Sequence, residues 1–297
     1  MQRLGAFGPP LVLALTLAIW ASFLVSARAA VGQSFGPIEV GLMRFGTAAI
    51  LFAPVLLRHG ILPRGQNWLD VVLIAFIGGF VFVLLLVGGL SFAPVADSGI
   101  FAPSMLPVWV AGMSAVFLAE KFSRARLLGL GLIVFGALAV GGYEAIIQAE
   151  DGRWRGHLLF LGASGCWAAY TVRFRARALP VVPAAAMMVF WSALAFLVAG
   201  LVKGMDFSGI PPQTLALQIL LQGVFSGFLA TFTYLFCVQH FGAAKTAAFG
   251  ALVPVLAALG AWVFLAEPIG IFKTIGILVV CTGVALASGA LFQGRSQ

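Results

Sequence analysis

The chain has 297 residues, of which 62% belong to the hydrophobic set and only 9% are charged, with a formal net charge of +8. A typical soluble domain carries about 25% charged residues, so this composition excludes a soluble fold of this length. The apolar residues lie in runs of about 20, the length that crosses the hydrocarbon core of a bilayer. The sequence therefore predicts an integral membrane protein whose surroundings are the lipid bilayer.

Short stretches of glycine, proline and charge divide the chain into apolar segments. These segments are predicted to be helices, because a lone strand cannot satisfy its backbone hydrogen bonds in lipid. No loop between them is long enough for a soluble domain. The ten predicted spans are 9–29, 38–57, 69–90, 96–118, 126–146, 157–178, 184–203, 215–238, 245–265 and 270–292.

The first segment imitates a secretory signal, because Arg3 and an apolar run are followed by Ala27-Arg28-Ala29. We interpret it as a retained span. The same segment has a counterpart in the second half of the chain, and a cleaved signal would need none.

A fixed offset of 147 residues aligns the second half of the chain with the first without a gap. The pentapeptide VFLAE occurs at Val116–Glu120 and again at Val263–Glu267. This predicts an internal duplication, with one five-helix unit at 1–147 and another at 148–297. Because five is odd, the second unit enters the membrane from the opposite side, as in the inverted repeats of many transporters. Other matched residues are Trp20 and Trp167, Arg28 and Arg175, Pro107 and Pro254, Gly129 and Gly276, and Gly136 and Gly283.

Basic residues in the loops predict the orientation. Eleven lie on the side of the N-terminus and five on the other side, with Arg44 inside a span and left out. The richer side is expected to be cytoplasmic. We therefore predict a multi-pass protein of a bacterial cytoplasmic (inner) membrane with both termini inside, and a charge of +8 that needs no nucleic acid partner.

The chain resembles the EamA family of the drug/metabolite transporter superfamily. The resemblance rests on the two five-helix halves, the proline and VFLAE late in the fourth span of each half, the glycines behind them, and the MRFG at Met43–Gly46. It implies ten helices around a central cavity, with the fifth and tenth spans at the periphery. The bacterial members that the chain resembles export amino acids and related metabolites, and aromatic amino acid exporters are the nearest comparison.

Two prolines and several aromatic stripes are the candidate pathway features. Pro107 and Pro254 lie near the middle of the fourth and ninth spans, where a proline kinks a helix and its freed carbonyls favour a wet cavity. Aromatic stripes at helical spacing serve either core packing or a substrate pathway, and Trp20 and Trp167 lie too deep for an interfacial belt. The predicted pathway residues are Trp20, Arg44, Met105, Trp109, Trp167, Tyr170, Thr231 and Tyr234.

Arg44 is the most informative single residue, because a charge at the bilayer centre costs about 2.5–3.5 kcal/mol on insertion scales. We expect it to pair with Asp97 or Glu39, and the alternative is that it attracts a substrate carboxylate. Asp97 is also the candidate group for proton coupling. Glu120 and Glu267, which end the two VFLAE copies, are expected to accept hydrogen bonds from the N–H groups that open the next helix. The alternative is that they are carboxylates that couple transport to an ion.

The sequence contains no signature of an enzyme or a metal site. The nine acidic residues are spread along the chain, the three histidines are scattered, and the three cysteines lie in apolar runs. No cofactor is expected, and a monomer is favoured. We predict a transporter that exports small metabolites, chiefly amino acids of broad side-chain type, by alternating access without obligatory proton coupling. The alternatives are a proton-coupled multidrug exporter, whose carboxylate the first and sixth spans lack, a nucleoside or sugar-phosphate transporter, and a receptor that binds without flux.

Overall fold

The computed structural model describes residues 2–147, 152–241, 246, 249–250 and 252–287, and every regular element in this part of the chain is a helix. The predicted end of the tenth span at 292 and the predicted start of the ninth at 245 lie outside these residues. The helices are α1 (Gln2–Gly32), α2 (Pro37–Leu51), α3 (Ala53–His59), α4 (Trp68–Leu90), α5 (Val95–Phe101), α6 (Leu106–Leu118), α7 (Arg124–Ile147), α8 (Arg153–Ala176), α9 (Val181–Lys203), α10 (Pro212–Phe241), α11 (Val253–Leu265) and α12 (Ile271–Ala287).

Among the described residues, five stretches are long and apolar enough to cross a membrane: Gly8–Gly32 in α1, α4, the joined α5 and α6 (Val95–Phe117), α9 and α10. A sixth is added if α2 and α3, which meet at a bend of 61°, form one broken span. Pro54 stands in the first turn of α3, where a proline needs no N–H partner. The remaining helices cover the other predicted segments.

The two halves share local geometry that the sequence repeat predicts. Eleven residues within α4, Val71–Val81, have π-helical hydrogen bonding, and so do eleven within α10, Ile219–Leu229. The alanine of each VFLAE copy lies in the left-handed region, at φ +51° for Ala119 and +54° for Ala266. The N–H of the following glutamate then donates to a carbonyl six residues earlier, so both helices end in a left-handed turn.

The two prolines predicted to kink the fourth and ninth spans do not lie within a continuous helix. Pro107 is the second residue of α6 and Pro254 the second residue of α11, positions where the missing N–H breaks no helical hydrogen bond. The fourth segment is instead interrupted at 102–105, between α5 and α6. At this level Pro254 packs closely on Gly99, where an added Cβ would lie 2.8 Å from the proline Cα.

Glycines allow α7 and α12 to approach each other closely. A Cβ on Gly129 would lie 2.5 Å from the carbonyl oxygen of Gly283, and one on Gly276 would lie 2.2 Å from Cγ2 of Val140. Small residues of this kind let helix backbones meet in a membrane. Neither helix contributes a residue to the central cavity described below.

Candidate functional site

A cavity lies between the two halves of the chain and has about 530 Å³ of space free of protein atoms, part of it open to the outside. The described residues of its walls are apolar and aromatic, with one guanidinium and one hydroxyl side chain. The lining residues are Trp20, Phe23, Leu24, Arg44, Phe82, Leu86, Ala102, Pro103, Leu106, Ser164, Trp167 and Val253. The interrupted fourth segment contributes the turn between α5 and α6 to this wall.

An aromatic cluster from both halves borders the cavity. The ring of Trp20 lies 6.3 Å from that of Trp167 in an edge-to-face arrangement, and 5.0 Å from that of Tyr234. Trp167 also contacts Phe82 and Tyr170, with ring centroids 4.7 and 5.2 Å away. Aromatic pairs at these separations stabilise by about 0.5–1.5 kcal/mol beyond their buried area, so the rings hold one another in place.

Three of the eight predicted pathway residues line the cavity: Trp20, Arg44 and Trp167. Tyr170 and Tyr234 are buried behind them, in ring contact with Trp167. The other three are not in the wall of this cavity. Met105 is buried in the core, Trp109 is 39% exposed beside Gly165, and Thr231 donates its hydroxyl to the carbonyl of Gly227 on its own helix.

The prediction that Arg44 forms an ion pair with Asp97 or Glu39 is wrong. The Arg44 side chain is 4% exposed, and its Nε and Nη1 have no hydrogen-bond partner in the described part of the chain. Its guanidinium carbon lies 4.1 Å from the centroid of the Phe23 ring and 5.6 Å from that of Phe45. Such cation–π contacts contribute about 0.5–2 kcal/mol, but they leave the guanidinium donors unused.

Asp97 takes part in a different interaction from the one predicted. Its carboxylate is fully buried, with Oδ2 2.9 Å from Nε2 of His157 and Oδ1 2.5 Å from Nζ of Lys273. The three residues come from α5, α8 and α12, so the cluster joins helices of both halves. Asp97 is absent from the lining of the cavity. The sequence analysis predicted neither His157 nor Lys273 as a partner. They follow Asp97 by 60 and 176 residues, and no local sequence pattern indicates a contact over such separations.

The VFLAE glutamates do not cap the next helix as predicted. Glu267 accepts from Nε of Arg28 at 3.0 Å and from the backbone N–H of Val95 at 2.9 Å, and Glu120 accepts from Nη2 of Arg175 at 3.1 Å. Arg28 also donates to a main-chain carbonyl of α4. The start of α7 is capped by Ser123, as its residue type favours.

The internal repeat relates these two ion pairs to each other, because the offset of 147 residues relates Arg28 to Arg175 and Glu120 to Glu267. Each pair joins an arginine of one half to a glutamate of the other. The pairs lie at opposite ends of the helix bundle: α8 begins beside Asp97, near Val95 and Glu267, and ends at the Arg175 pair. Trp20 and Trp167 each precede their arginine by eight residues, about 12 Å along a helix, so the cavity lies between the two pairs.

Apolar helices that surround a cavity walled by both halves define a multi-pass membrane protein. The family model of the EamA-like transporter family matches the chain twice, at residues 8–142 and 154–289. The chain therefore belongs to the EamA-like transporter family.

Relatives of similar length are also named as transporters. The chain is 27% identical over 269 residues to the uncharacterized transporter YyaM of Bacillus subtilis, covering 86% of each chain. It is also 27% identical over 293 residues to YetK of the same organism, covering 95% of this chain and 86% of the relative. A solved crystal structure with 20% identity has the same fold, with a TM-score of 0.64 over 92% of this chain and 98% of the other.

Proposed function

We propose that this protein exports small metabolites, chiefly amino acids of broad side-chain type, by alternating access, without obligatory proton coupling. The observation that supports this proposal is the central cavity, whose wall is aromatic and apolar except for Arg44 and Ser164. A zwitterion has no net charge, so it needs no large fixed countercharge in a medium of low dielectric constant. Aromatic faces accommodate varied side chains and attract an ammonium group.

The proposed architecture is ten spans in an inverted repeat, with units 1–147 and 148–297. The two matches to the family model support the division. The repeated π-helical segments and the repeated left-handed alanines support a duplication of structure as well as of sequence. The arginine–glutamate pairs at opposite ends support the inversion, because a direct repeat would carry both pairs at one end.

Alternating access gives the two ion pairs a role. A transporter of this type exposes its site first to one side of the membrane and then to the other. The Arg28–Glu267 pair connects α1 to the end of α11, and the Arg175–Glu120 pair connects α8 to the end of α6. Opening either end of the bundle therefore separates one pair while the other remains, so the pairs bias the two states in opposite directions.

Proton coupling through Asp97 is not part of the proposal. Both of its carboxylate oxygens contact basic side chains, and the residue lies outside the cavity wall. We interpret the Asp97 cluster as a structural link between α5, α8 and α12. A carboxylate that couples transport would need access to the substrate cavity or to water in at least one state.

The runner-up substrates fit this cavity less well. A cationic drug would find no carboxylate in the wall and would face the charge of Arg44. A sugar phosphate carries about two negative charges, and the wall offers one guanidinium. A nucleoside would stack on the tryptophans but would leave the Arg44 donors without an anion.

We propose that the protein lies in a bacterial cytoplasmic membrane, as a monomer, with both termini inside.

In a variant without its three native cysteines, a cysteine at His59 or Ala176 should be protected from an external impermeant thiol reagent in intact cells. A cysteine at Gln213 should react. All three positions are exposed at the ends of helices, so protection reports the side of the membrane; labelling at His59 with protection at Gln213 would reverse the orientation.

The function is tested by uptake of labelled threonine, methionine and phenylalanine into liposomes that contain the purified protein, with and without an imposed pH gradient. We expect flux of all three substrates down their concentration gradients, independent of the pH gradient. Accumulation that occurs only when protons flow in the opposite direction would contradict the uncoupled mechanism. The Asp97→Asn variant would then decide whether that carboxylate carries the proton. Binding without flux would favour a receptor.

A further inference from the structure

Arg44 combines three properties that rarely occur together inside a protein. Its side chain is almost completely buried, it lines a cavity, and two of its guanidinium nitrogens have no hydrogen-bond partner in the described part of the chain. A buried charge is normally paired, because leaving water without a counter-ion is unfavourable. An arginine in this state therefore indicates a binding partner that the described part of the chain does not supply.

The two carboxylates that were expected to pair with Arg44 lie elsewhere in the described structure. The carboxylate of Asp97 contacts His157 and Lys273. The carboxylate of Glu39 lies beside Gly36, at the start of α2, where an added Cβ would be 2.7 Å from Oε2. The backbone of Arg44 is held by the close approach of α10, since a Cβ on Gly227 would lie 2.3 Å from the Arg44 carbonyl oxygen.

The residues around Arg44 indicate which kind of solute it could bind. Guanidinium donors bind a carboxylate through two parallel hydrogen bonds. The ring of Phe23 lies against the guanidinium, and the tryptophans Trp20 and Trp167 occupy other parts of the same wall. A solute with one carboxylate and an ammonium or apolar remainder matches this arrangement, whereas a phosphate dianion would need a second cation.

We propose that Arg44 binds the carboxylate of the transported solute, so that a free carboxylate is the feature that every substrate shares. This inference rests on the proposed function and adds the group that is recognised. The side chain of the amino acid then lies against the aromatic wall and is selected weakly. Amides, esters and decarboxylated amines with the same side chain are rejected.

The test measures binding of phenylalanine, phenylalaninamide and phenethylamine to the purified protein, by calorimetry and by the shift of its unfolding temperature. We expect the wild type to bind phenylalanine at least about tenfold more tightly than either analogue, as sites built to hydrogen-bond a substrate group do. Arg44→Met should bind all three weakly and equally. Arg44→Lys should keep part of the preference, because it retains the charge and loses the two-pronged geometry.

A stability readout separates this role from a structural one. Without ligand, Arg44→Met should unfold at a temperature equal to or a few degrees above that of the wild type, because an unpartnered buried charge is removed. An Arg44→Met variant that discriminates among the three ligands as the wild type does would overturn the inference. So would a variant that is strongly destabilised while its remaining folded fraction binds phenylalanine normally.

Further ligands distinguish the failure of this inference from the failure of the proposed function. If the wild type binds no amino acid, then benzoate, phenylpyruvate and glucose 6-phosphate are tested in the same way. Binding of a monocarboxylate that Arg44→Met abolishes would preserve the role of Arg44 and reject amino acid export. Binding of glucose 6-phosphate alone, or of nothing that depends on Arg44, would overturn the inference.

Discussion

Reversing the charge of Arg28 should reduce transport by about two- to thirtyfold, and reversing Glu267 as well should restore part of it. A partly exposed ion pair contributes about 0.2–1 kcal/mol. Replacing its attraction by a repulsion of similar size doubles the effect, so the balance between two states changes by about 0.4–2 kcal/mol, or about two- to thirtyfold. The Arg28→Glu variant should therefore favour the state that is open at its own end of the bundle. Flux in liposomes measures the loss.

The matched pair at the other end supplies the control. Arg175→Glu should shift the protein toward the opposite state, and adding Glu120→Arg should restore transport more completely than the double reversal at Arg28 and Glu267. The reason is that Glu267 also accepts the N–H of Val95, which an arginine at that position could not do. Labelling of a cysteine introduced into the cavity wall, from each side of the membrane, reports the state. Shifts in the same direction for both single reversals would contradict the assignment of the pairs to opposite states.

Removing either cavity tryptophan should lower flux by about tenfold while the protein remains folded and monodisperse. Trp20→Ala and Trp167→Ala each delete an aromatic face of the wall, and each ring lies at the cavity rather than wholly inside the core. Phenylalanine binding should weaken more than threonine binding, because ring–ring contacts add about 0.5–1.5 kcal/mol. The measurements are uptake of both amino acids and the elution profile of the purified variants.

Trp262→Ala is the control for this pair, because Trp262 is 58% exposed and lies outside the cavity. Its flux should be unchanged. If Trp20→Ala and Trp167→Ala both aggregate while Trp20→Phe and Trp167→Phe transport normally, the tryptophans are packing residues. That result would assign the pathway to other parts of the wall.

The sequence by itself determined the membrane class, the family and the duplication. Long apolar runs are a property of composition along the chain, and the VFLAE copies, the matched prolines and the matched tryptophans need no coordinates to align. The match of the family model to 8–142 and 154–289 agrees with this interpretation. Trp20, Arg44 and Trp167 were also predicted from the sequence alone. A tryptophan or an arginine deep in a membrane span is unusual, whatever the packing of the helices.

The tertiary structure alone decided which charged groups meet. Asp97 contacts His157 and Lys273, not Arg44, and the glutamates of VFLAE contact arginines of the other half, not the next helix. Ion pairing depends on distances of a few ångströms between helices far apart in the chain, and a single sequence contains no record of those distances. Arg44 was recognisable from its position in a span. Only the positions of the surrounding helices show that its guanidinium has no ion pair in the described part of the chain.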